Sequence, residues 1–139
     1  MKPLISVIIP AYNAQKYIRQ AVESVIQQTT DADIEVLVID DGSTDSTKEI
    51  VFEIQEECRS RKMDHREICY CPNEKNMGVA ESRNNGIRKA GGAYIAFLDA
   101  DDWWETDKIE KQLQTLEASD AVLCATAREL VRADGKPLN

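Results

Sequence analysis

The sequence of 139 residues predicts a three-layer α/β fold, in which a mainly parallel β-sheet lies between helices on both faces. Short runs of apolar and β-branched residues, typical of strands buried on both faces, alternate along the chain with amphipathic segments. Polar clusters directly follow three of these runs, at the edge where parallel sheets bind ligands. The predicted order of elements is β-α-β-α-β-α-β-α-β.

The first half of the chain contains two predicted strands and two predicted helices. Residues 5–11 form the first strand, and Asn13 is the predicted cap of an amphipathic helix of about four turns whose apolar face starts at Tyr17. Residues 34–39 form the second strand. The sequence Ser-Thr-Lys-Glu at 46–49 fits a capping box and predicts the start of the second helix.

The third strand and the third helix follow. Residues 67–71 are the predicted strand, which ends at a proline. The helix is predicted over about 78–90, with Val79, Ala80 and Ile87 on its buried face. Two consecutive glycines come directly after it, as is usual beyond the C-terminus of a helix.

The last part of the chain predicts one more helix between two strands. Residues 93–98 form the fourth strand, and the spacing of Ile109, Leu113 and Leu116 marks the fourth helix. Residues 121–125 predict a fifth strand, which on one interpretation continues through 127–131.

Charge and hydropathy exclude several classes of function. The chain has 17 Lys and Arg against 25 Asp and Glu, so its net charge of −8 disfavours general binding to nucleic acid or to anionic membranes. No apolar run approaches the ~18 residues of a membrane-spanning helix. The N-terminus is interpreted as a strand and not a signal peptide, so we expect a cytoplasmic protein with reduced cysteines, with peripheral attachment to the inner membrane face as the alternative.

The acidic segment 99–102 is the strongest local signal for a binding site. Its three carboxylates, those of Asp99, Asp101 and Asp102, repel one another unless a cation neutralises them. Mg²⁺ and Mn²⁺ prefer such oxygen ligands and commonly add substrate phosphates to one or two carboxylates. The alternative is a solvated acidic turn. The adjacent Trp103-Trp104 pair either walls a pocket or packs the following loop.

Three further residues are candidates for binding a nucleotide. Asp41 follows the second strand and could accept a hydrogen bond from a ring N–H group, or it could simply cap a turn. Tyr12 follows the first strand and could stack on a planar base. Arg83 could contact a base or a phosphate, or it could form a structural ion pair. Neither GxGxxG after the first strand nor GxxxxGK[ST] occurs, which argues against a dinucleotide site and a P-loop.

Four motifs in one order carry a resemblance to a known family. They are SVIIPAYN at 6–13, VIDDGSTD at 38–45, NMG at 76–78 with SRN at 82–84, and FLDADD at 97–102. Over nearly all of its length the chain resembles the nucleotide-binding half of family 2 glycosyltransferases, which have the GT-A fold with a Rossmann-like sheet.

The resemblance implies an inverting glycosyltransferase of polysaccharide biosynthesis that uses a nucleotide-diphosphate sugar and Mn²⁺ or Mg²⁺. A UDP-sugar is the expected donor, and the acceptor is a saccharide, a lipid-linked sugar or a protein. The implied site residues are Pro10, Ala11 and Tyr12 around the base, Asp41 as its hydrogen-bond acceptor, Arg83 on the nucleotide, Asp99 near the ribose and the sugar, and Asp99-Ala100-Asp101 as the DxD motif with Asp101 as metal ligand.

The same resemblance places the general base and the acceptor site after the metal motif. Little sequence follows Asp102, so we expect residues 1–139 to form a single donor-binding domain, either an N-terminal fragment or a truncated family member. Its uncovered sheet edge would favour homo-oligomers.

Two alternatives remain open. One is a nucleotidyltransferase, which needs a basic glycine-rich loop after the first strand, where this chain offers only Lys16 and Arg19. The other is a non-catalytic nucleotide-binding or interaction domain. A receiver-like version of the latter would need a lysine after its last strand, and none is present at 125–128.

Overall fold

The computed structural model describes residues 4–138, and the four strands in this part of the chain form one parallel sheet. The sheet order is β3-β2-β1-β4, so the first strand is central. The elements are β1 (Leu4–Ala11), α1 (Ile18–Ile26), β2 (Asp33–Asp40), α2 (Thr47–Ser60), β3 (Arg66–Pro72), α3 (Val79–Lys89), β4 (Tyr94–Phe97) and α4 (Lys108–Glu117). The predicted parallel α/β architecture is confirmed.

Helices cover both faces of the sheet because the strand order reverses. The chain moves from β1 to β2 to β3 in one direction and then crosses back to place β4 on the other side of β1. Right-handed crossovers therefore put α3 on the face opposite α1 and α2. The core reflects this: Val7 and Ile9 belong to the large cluster with α1, α2 and α4, whereas Ile8 points to the other face, where it meets Gly86 of α3.

The first helix is shorter than predicted and does not start at Asn13. It has nine residues and begins at Ile18. The preceding main chain is held elsewhere, because Ala14 N donates to Thr47 Oγ1 at 2.9 Å and Asn13 has a φ of 48°, which a helix N-cap does not adopt. The expectation of about four turns and of an Asn13 cap is therefore wrong.

The capping box predicted at 46–49 does not form its hydrogen bonds. Ser46 does occupy the N-cap position of α2, but its side chain makes no cap bond. Asp45 takes over this role, since its Oδ1 accepts from Thr47 N at 3.0 Å. An acidic residue one position earlier thus satisfies an N–H group of the first turn.

The buried face of α3 was assigned wrongly. Val79 is 54% exposed and Ile87 44% exposed, and Ala80 is exposed as well. The residues that face the sheet are Ser82 and Gly86, four positions apart. Small residues lie there because α3 approaches the sheet too closely for large ones.

The predicted fifth strand is absent from residues 4–138. Residues 121–125 have no ladder partner, and Val122 and Leu123 are 100% and 80% exposed. Further along, Val131 forms one isolated antiparallel bridge with Pro137. A strand is stabilised by pairing and packing rather than by composition, so an apolar run without a neighbouring strand does not form one.

We expect Gly86→Ala to destabilise the protein by about 1–3 kcal/mol, the usual cost of overpacking a core. A Cβ at this position would lie 2.4 Å from Cγ2 of Ile8, which is fully buried. The overlap outweighs the gain in helix propensity of about 1 kcal/mol. Urea denaturation measures the effect. Gly91→Ala is the control, because its Cβ would meet Glu35 at an ordinary 3.6 Å. Equal stability of the two variants would contradict the close approach.

Candidate functional site

Four loops meet at the carboxyl edge of the sheet. They follow the four strands and cover residues 12–17, 41–46, 73–78 and 98–107. The strand order reverses between β1 and β4, and in open α/β sheets a ligand crevice lies at this point of reversal. A ligand crevice is therefore expected here, with the loop after β1 on one side and the acidic loop after β4, residues 98–107, on the other.

The loops after β1 and β2 hold each other through reciprocal hydrogen bonds. Asn13 N donates to Ser43 Oγ at 2.9 Å, and Asn13 Oδ1 accepts from Thr44 N at 2.8 Å. Gln15 N donates to Asp45 Oδ2 at 3.1 Å. We call this set of contacts the loop clasp. It ties the segment around Tyr12 to the segment that begins at Asp41.

The predicted base-binding residues of β1 lie at the clasped end of that strand. Pro10 and Ala11 are buried, and Ala11 O accepts from Asp41 N at 2.8 Å. Tyr12 is 56% exposed, and within residues 4–138 its side chain makes no hydrogen bond. One face of an aromatic ring is thus presented to solvent beside a rigid main chain.

The two aspartates after β2 differ in role. Asp40 is 2% exposed and accepts hydrogen bonds from Ser43 N, at 2.8 Å, and from the hydroxyl of Tyr70. Burial and the Asp40 carboxylate raise the pKa of Tyr70, so this hydroxyl remains a donor. Asp40 is therefore part of the structural support of the turn.

Asp41 anchors the loop after β3. Its Oδ1 accepts from Asn73 Nδ2 at 2.8 Å and from Met77 N at 2.7 Å, and its Oδ2 accepts from Gly78 N at 2.8 Å. Burial alone would raise the pKa of Asp41, but these hydrogen bonds outweigh it and lower the pKa below 3.8. Because Gly78 directly precedes α3, the ionised carboxylate also lies at the positive end of that helix.

Arg83 of α3 pairs with Asp99 at the start of the acidic loop. Its Nη2 donates to Asp99 Oδ1 at 2.7 Å, and both side chains are partly exposed. In the described part of the chain, Arg83 Nε is the one buried side-chain polar atom without a hydrogen-bond partner. Such an atom is costly unless an acceptor reaches it, which a ligand in the crevice would supply.

The acidic loop starts as an extension of the sheet. Leu98 N donates to Ile8 O at 3.1 Å, and Asp102 N donates to Asp99 O at 3.1 Å to close a turn. Ala100 packs against the core, whereas Asp99, Asp101 and Asp102 are exposed. Partial burial and the charges of the other two aspartates raise the pKa of Asp102.

Between residues 4 and 138, no group of three His, Cys, Asp or Glu side chains is arranged to hold a metal ion. A cation at Asp101 would therefore complete its coordination with water and with oxygen atoms of a substrate. Mg²⁺ and Mn²⁺ bind in this way at many phosphate sites.

The two tryptophans differ in their packing. Trp104 packs against the core, and Lys108 Nζ lies 4.5 Å from the centroid of its ring. Trp103 is 37% exposed and remains a candidate wall of the crevice.

Sequence reasoning missed the polar network beneath Asp41. Asn73 Nδ2 also donates to Ser82 Oγ at 2.9 Å, and Asn73 Oδ1 accepts from Asn85 Nδ2 at 2.8 Å. The sequence feature that indicates this network is a fourth polar cluster, residues 73–76, which directly follows the third strand. The four cysteines are free, and Cys69 and Cys71 are half-buried in β3.

Comparison with known proteins identifies the family. The sequence profile described as "Glycosyl transferase family 2" matches residues 6–137. The chain belongs to glycosyl transferase family 2. This confirms the resemblance drawn from the four motifs.

Curated relatives of this family 2 chain are named glycosyltransferases. The putative teichuronic acid biosynthesis glycosyltransferase TuaG of Bacillus subtilis is 40% identical over 139 residues, which are 99% of this chain and 52% of TuaG. The putative glycosyltransferase EpsH of the same organism is 38% identical over 91% of this chain and 35% of its own length. The chain thus spans about half of TuaG and about a third of EpsH.

Solved structures confirm the GT-A fold of this family 2 chain. S. aureus TarS 1–349 in complex with UDP-GlcNAc matches 85% of the chain and 32% of its own, with a TM-score of 0.70 and 30% identity. The mannosyltransferase PcManGT of Pyrobaculum calidifontis, in complex with GDP-Man and Mn²⁺, matches 84% and 33%, with a TM-score of 0.71 and 25% identity. No helix within residues 4–138 is long and apolar enough to cross a membrane.

Proposed function

We propose that this family 2 chain is the donor-binding domain of an inverting, metal-dependent glycosyltransferase. The observation that carries the proposal is the arrangement of loops at the carboxyl edge of the sheet, where Tyr12 and Asp41 follow β1 and β2 and the Arg83–Asp99 pair lies at the loop after β4. The nucleotide sugars bound by TarS and PcManGT support a donor of the same class.

The β1–β2 side suits a nucleobase. Tyr12 offers an exposed ring for stacking, and the main chain of Pro10 and Ala11 lines the same end of the strand. Asp41 is ionised and 5% exposed; its oxygens accept from Asn73, Met77 and Gly78, and hydrogen bonding from the Ser82 hydroxyl also lowers its pKa. A base whose ring N–H group reaches Asp41 has to share its oxygens with these donors, which would distinguish bases that donate there from bases that do not.

The β4 side suits a diphosphate and a divalent cation. Asp101 is exposed and makes no hydrogen bond with described residues, so its oxygens are available as ligands. Asp99 next to it is held by Arg83 on the ribose and sugar side of the same loop. The donor set fits Mn²⁺ or Mg²⁺ with phosphate oxygens completing the shell. When bound, the cation supplies Lewis-acid stabilisation of the departing diphosphate.

The proposed reaction is a single displacement at the anomeric carbon. An acceptor hydroxyl on a saccharide, a lipid-linked sugar or a protein attacks from the face opposite the diphosphate. The bond from the anomeric carbon to the phosphate oxygen breaks, and the electron pair leaves with the nucleotide diphosphate. The hydroxyl proton passes to a general base, which is typically worth 10²–10⁴-fold in rate. We assign this base to no residue of this chain.

The proposal predicts that Tyr12→Ala weakens binding of UDP by about 1–3 kcal/mol, the usual worth of stacking one base on an aromatic side chain. Titration calorimetry with UDP, UDP-GlcNAc, GDP and GDP-mannose measures the loss. Tyr17→Ala is the matched control, because Tyr17 is 50% exposed and occupies the N-cap position of α1, at the opposite end of the same loop from Tyr12. If both variants bind every nucleotide as the parent does, the base pocket is not at Tyr12.

A further inference from the structure

A buried glutamine joins the end of the acidic loop and the start of α4 to the end of α1. Gln28 is 4% exposed and lies just beyond the end of that helix. Its Nε2 donates to Ser24 O at 3.0 Å and to Glu105 O at 2.7 Å, and its Oε1 accepts from Ile109 N at 2.9 Å. All three partners are main-chain atoms, and two of them belong to a segment about 80 residues later in the chain.

Gln28 also acts as the cap of α4. The first N–H groups of a helix have no partner within the helix. Asp107 occupies the N-cap position of α4 but makes no side-chain cap bond. The amide oxygen of Gln28 satisfies Ile109 N instead, so the start of α4 is fixed to a distant element rather than to its own flanking residue.

Two further hydrogen bonds lie along the same contact. Trp104 N donates to Ser24 Oγ at 3.1 Å, and Thr29 N donates to Thr106 O at 2.9 Å. Upstream, the acidic loop is held by the sheet through Leu98. The loop therefore spans two fixed points, and at the second Gln28 supplies two of these four hydrogen bonds from a side chain that is almost fully buried.

We propose that Gln28 is a positioning residue that sets the place of the acidic loop, and through it the place of Asp99 and Asp101. It touches neither donor nor cation. The consequence for metal-dependent binding rests on the proposed function, whereas the effect on the loop is a property of the ligand-free chain.

Hydrogen–deuterium exchange of the ligand-free protein tests the first part. Gln28→Met keeps the length of the side chain and removes all three hydrogen bonds. We expect amides in 99–109 to exchange about tenfold faster, because local opening no longer breaks these buried contacts. Gln55→Met is the matched control: this half-buried amide donates to Ile68 O at 2.7 Å, between α2 and β3. Unchanged exchange over 99–109 in Gln28→Met overturns the proposal.

If Gln28→Met does not fold, Gln28→Glu provides the same test. It keeps an acceptor for Ile109 N but places a carboxylate against the carbonyls of Ser24 and Glu105 at neutral pH. Exchange over 99–109, normalised to the parent at each pH, should be fast at neutral pH. It should slow as acid restores an O–H donor. A pH-independent ratio overturns the proposal.

The effect of Gln28 on metal-dependent binding is measured as the ratio of UDP affinity with Mn²⁺ to UDP affinity without it. UDP affinity is measured for each variant with Mn²⁺ and with EDTA. We expect Gln28→Met to bring the ratio of UDP affinity in Mn²⁺ to UDP affinity in EDTA close to one. The UDP affinity in EDTA should stay within about twofold of that of the parent, because the β1–β2 side of the site is intact. A merely structural role would weaken both values together. A parent chain without any gain from Mn²⁺ contradicts the proposed function, and the exchange experiment then decides the role of Gln28 by itself.

Discussion

Asp101→Ala is expected to abolish the gain in nucleotide-diphosphate affinity that Mn²⁺ or Mg²⁺ confers. Such coupling between two ligands is typically 5–150-fold. Under the proposed function the variant removes a metal ligand, and because Asp101 is exposed and makes no hydrogen bond or ion pair within residues 4–138, the fold should be retained. Titration calorimetry with UDP in Mn²⁺ and in EDTA measures both values. We expect the EDTA value to stay at that of the parent.

The stability of the same variant checks that the loop is unharmed. Partial burial and then the charges of Asp101 and Asp99 raise the pKa of Asp102, so removing the Asp101 charge relieves repulsion and should not lower the urea midpoint. Asp120→Ala makes the same change of charge at an exposed position outside the loop and is the control. A variant that keeps the full metal-dependent gain would remove Asp101 from the site.

Asp41→Asn is expected to cost about 1–3 kcal/mol of stability at neutral pH. The amide has the size of the carboxylate, but in either orientation its NH₂ group faces a donor, because Asn73, Met77 and Gly78 all donate to Asp41. The loop 73–78 should loosen, and base preference should change with it. Urea denaturation and a panel of nucleotides provide the two measurements.

The pH dependence of the stability lost in Asp41→Asn shows whether the loss comes from the charge of the carboxylate or from the replacement of an oxygen by an NH₂ group. The pKa of Asp41 is lowered from 3.8 in the folded state, so its stabilisation is complete above about 3.8 and is lost as the pH falls through the folded value. The stability difference between parent and Asp41→Asn should therefore shrink below about pH 3.8. Asp64→Asn, at an exposed carboxylate, should show no such difference at any pH. A constant difference over the acid range would show that ionisation of Asp41 does not matter.

The two central strands, β1 and β2, were predictable because burial on both faces of a parallel sheet leaves a run of apolar residues. Residues 34–39 are such a run, and the structure extends it only by one residue at each end. The face of α3 was not predictable in this way. Val79 and Ile87 are apolar and suit a core, but α3 lies so close to Ile8 that only the small residues Ser82 and Gly86 fit on its buried face. That distance is a property of the assembled layers and not of the helix.

For the candidate site, the location of the residues could be predicted from the sequence, but their contacts could not. Parallel topology alone brings Tyr12, Asp41 and the acidic loop to one edge, so their common location could be inferred before any contact was known. The contacts themselves could not, since they join residues far apart in the chain. Asn13 shows the limit: its type and position suited a helix cap equally well, and only the neighbouring loop decides that it pairs with Thr44. Gln28 at the end of a helix likewise has the pattern of a solvated residue.

The loop clasp has a consequence for changing the donor that this domain accepts. Asn13 gives one hydrogen bond to the loop after β2 and receives another from it, so each loop completes the other. A chimaera could take only one of these two loops from a relative. It would leave an amide oxygen and a main-chain N–H group without partners, unless the foreign loop offered the same hydrogen-bonding groups. Residues 12–17 and 41–46 thus form one structural unit, and redesign of base specificity has to exchange the two segments together.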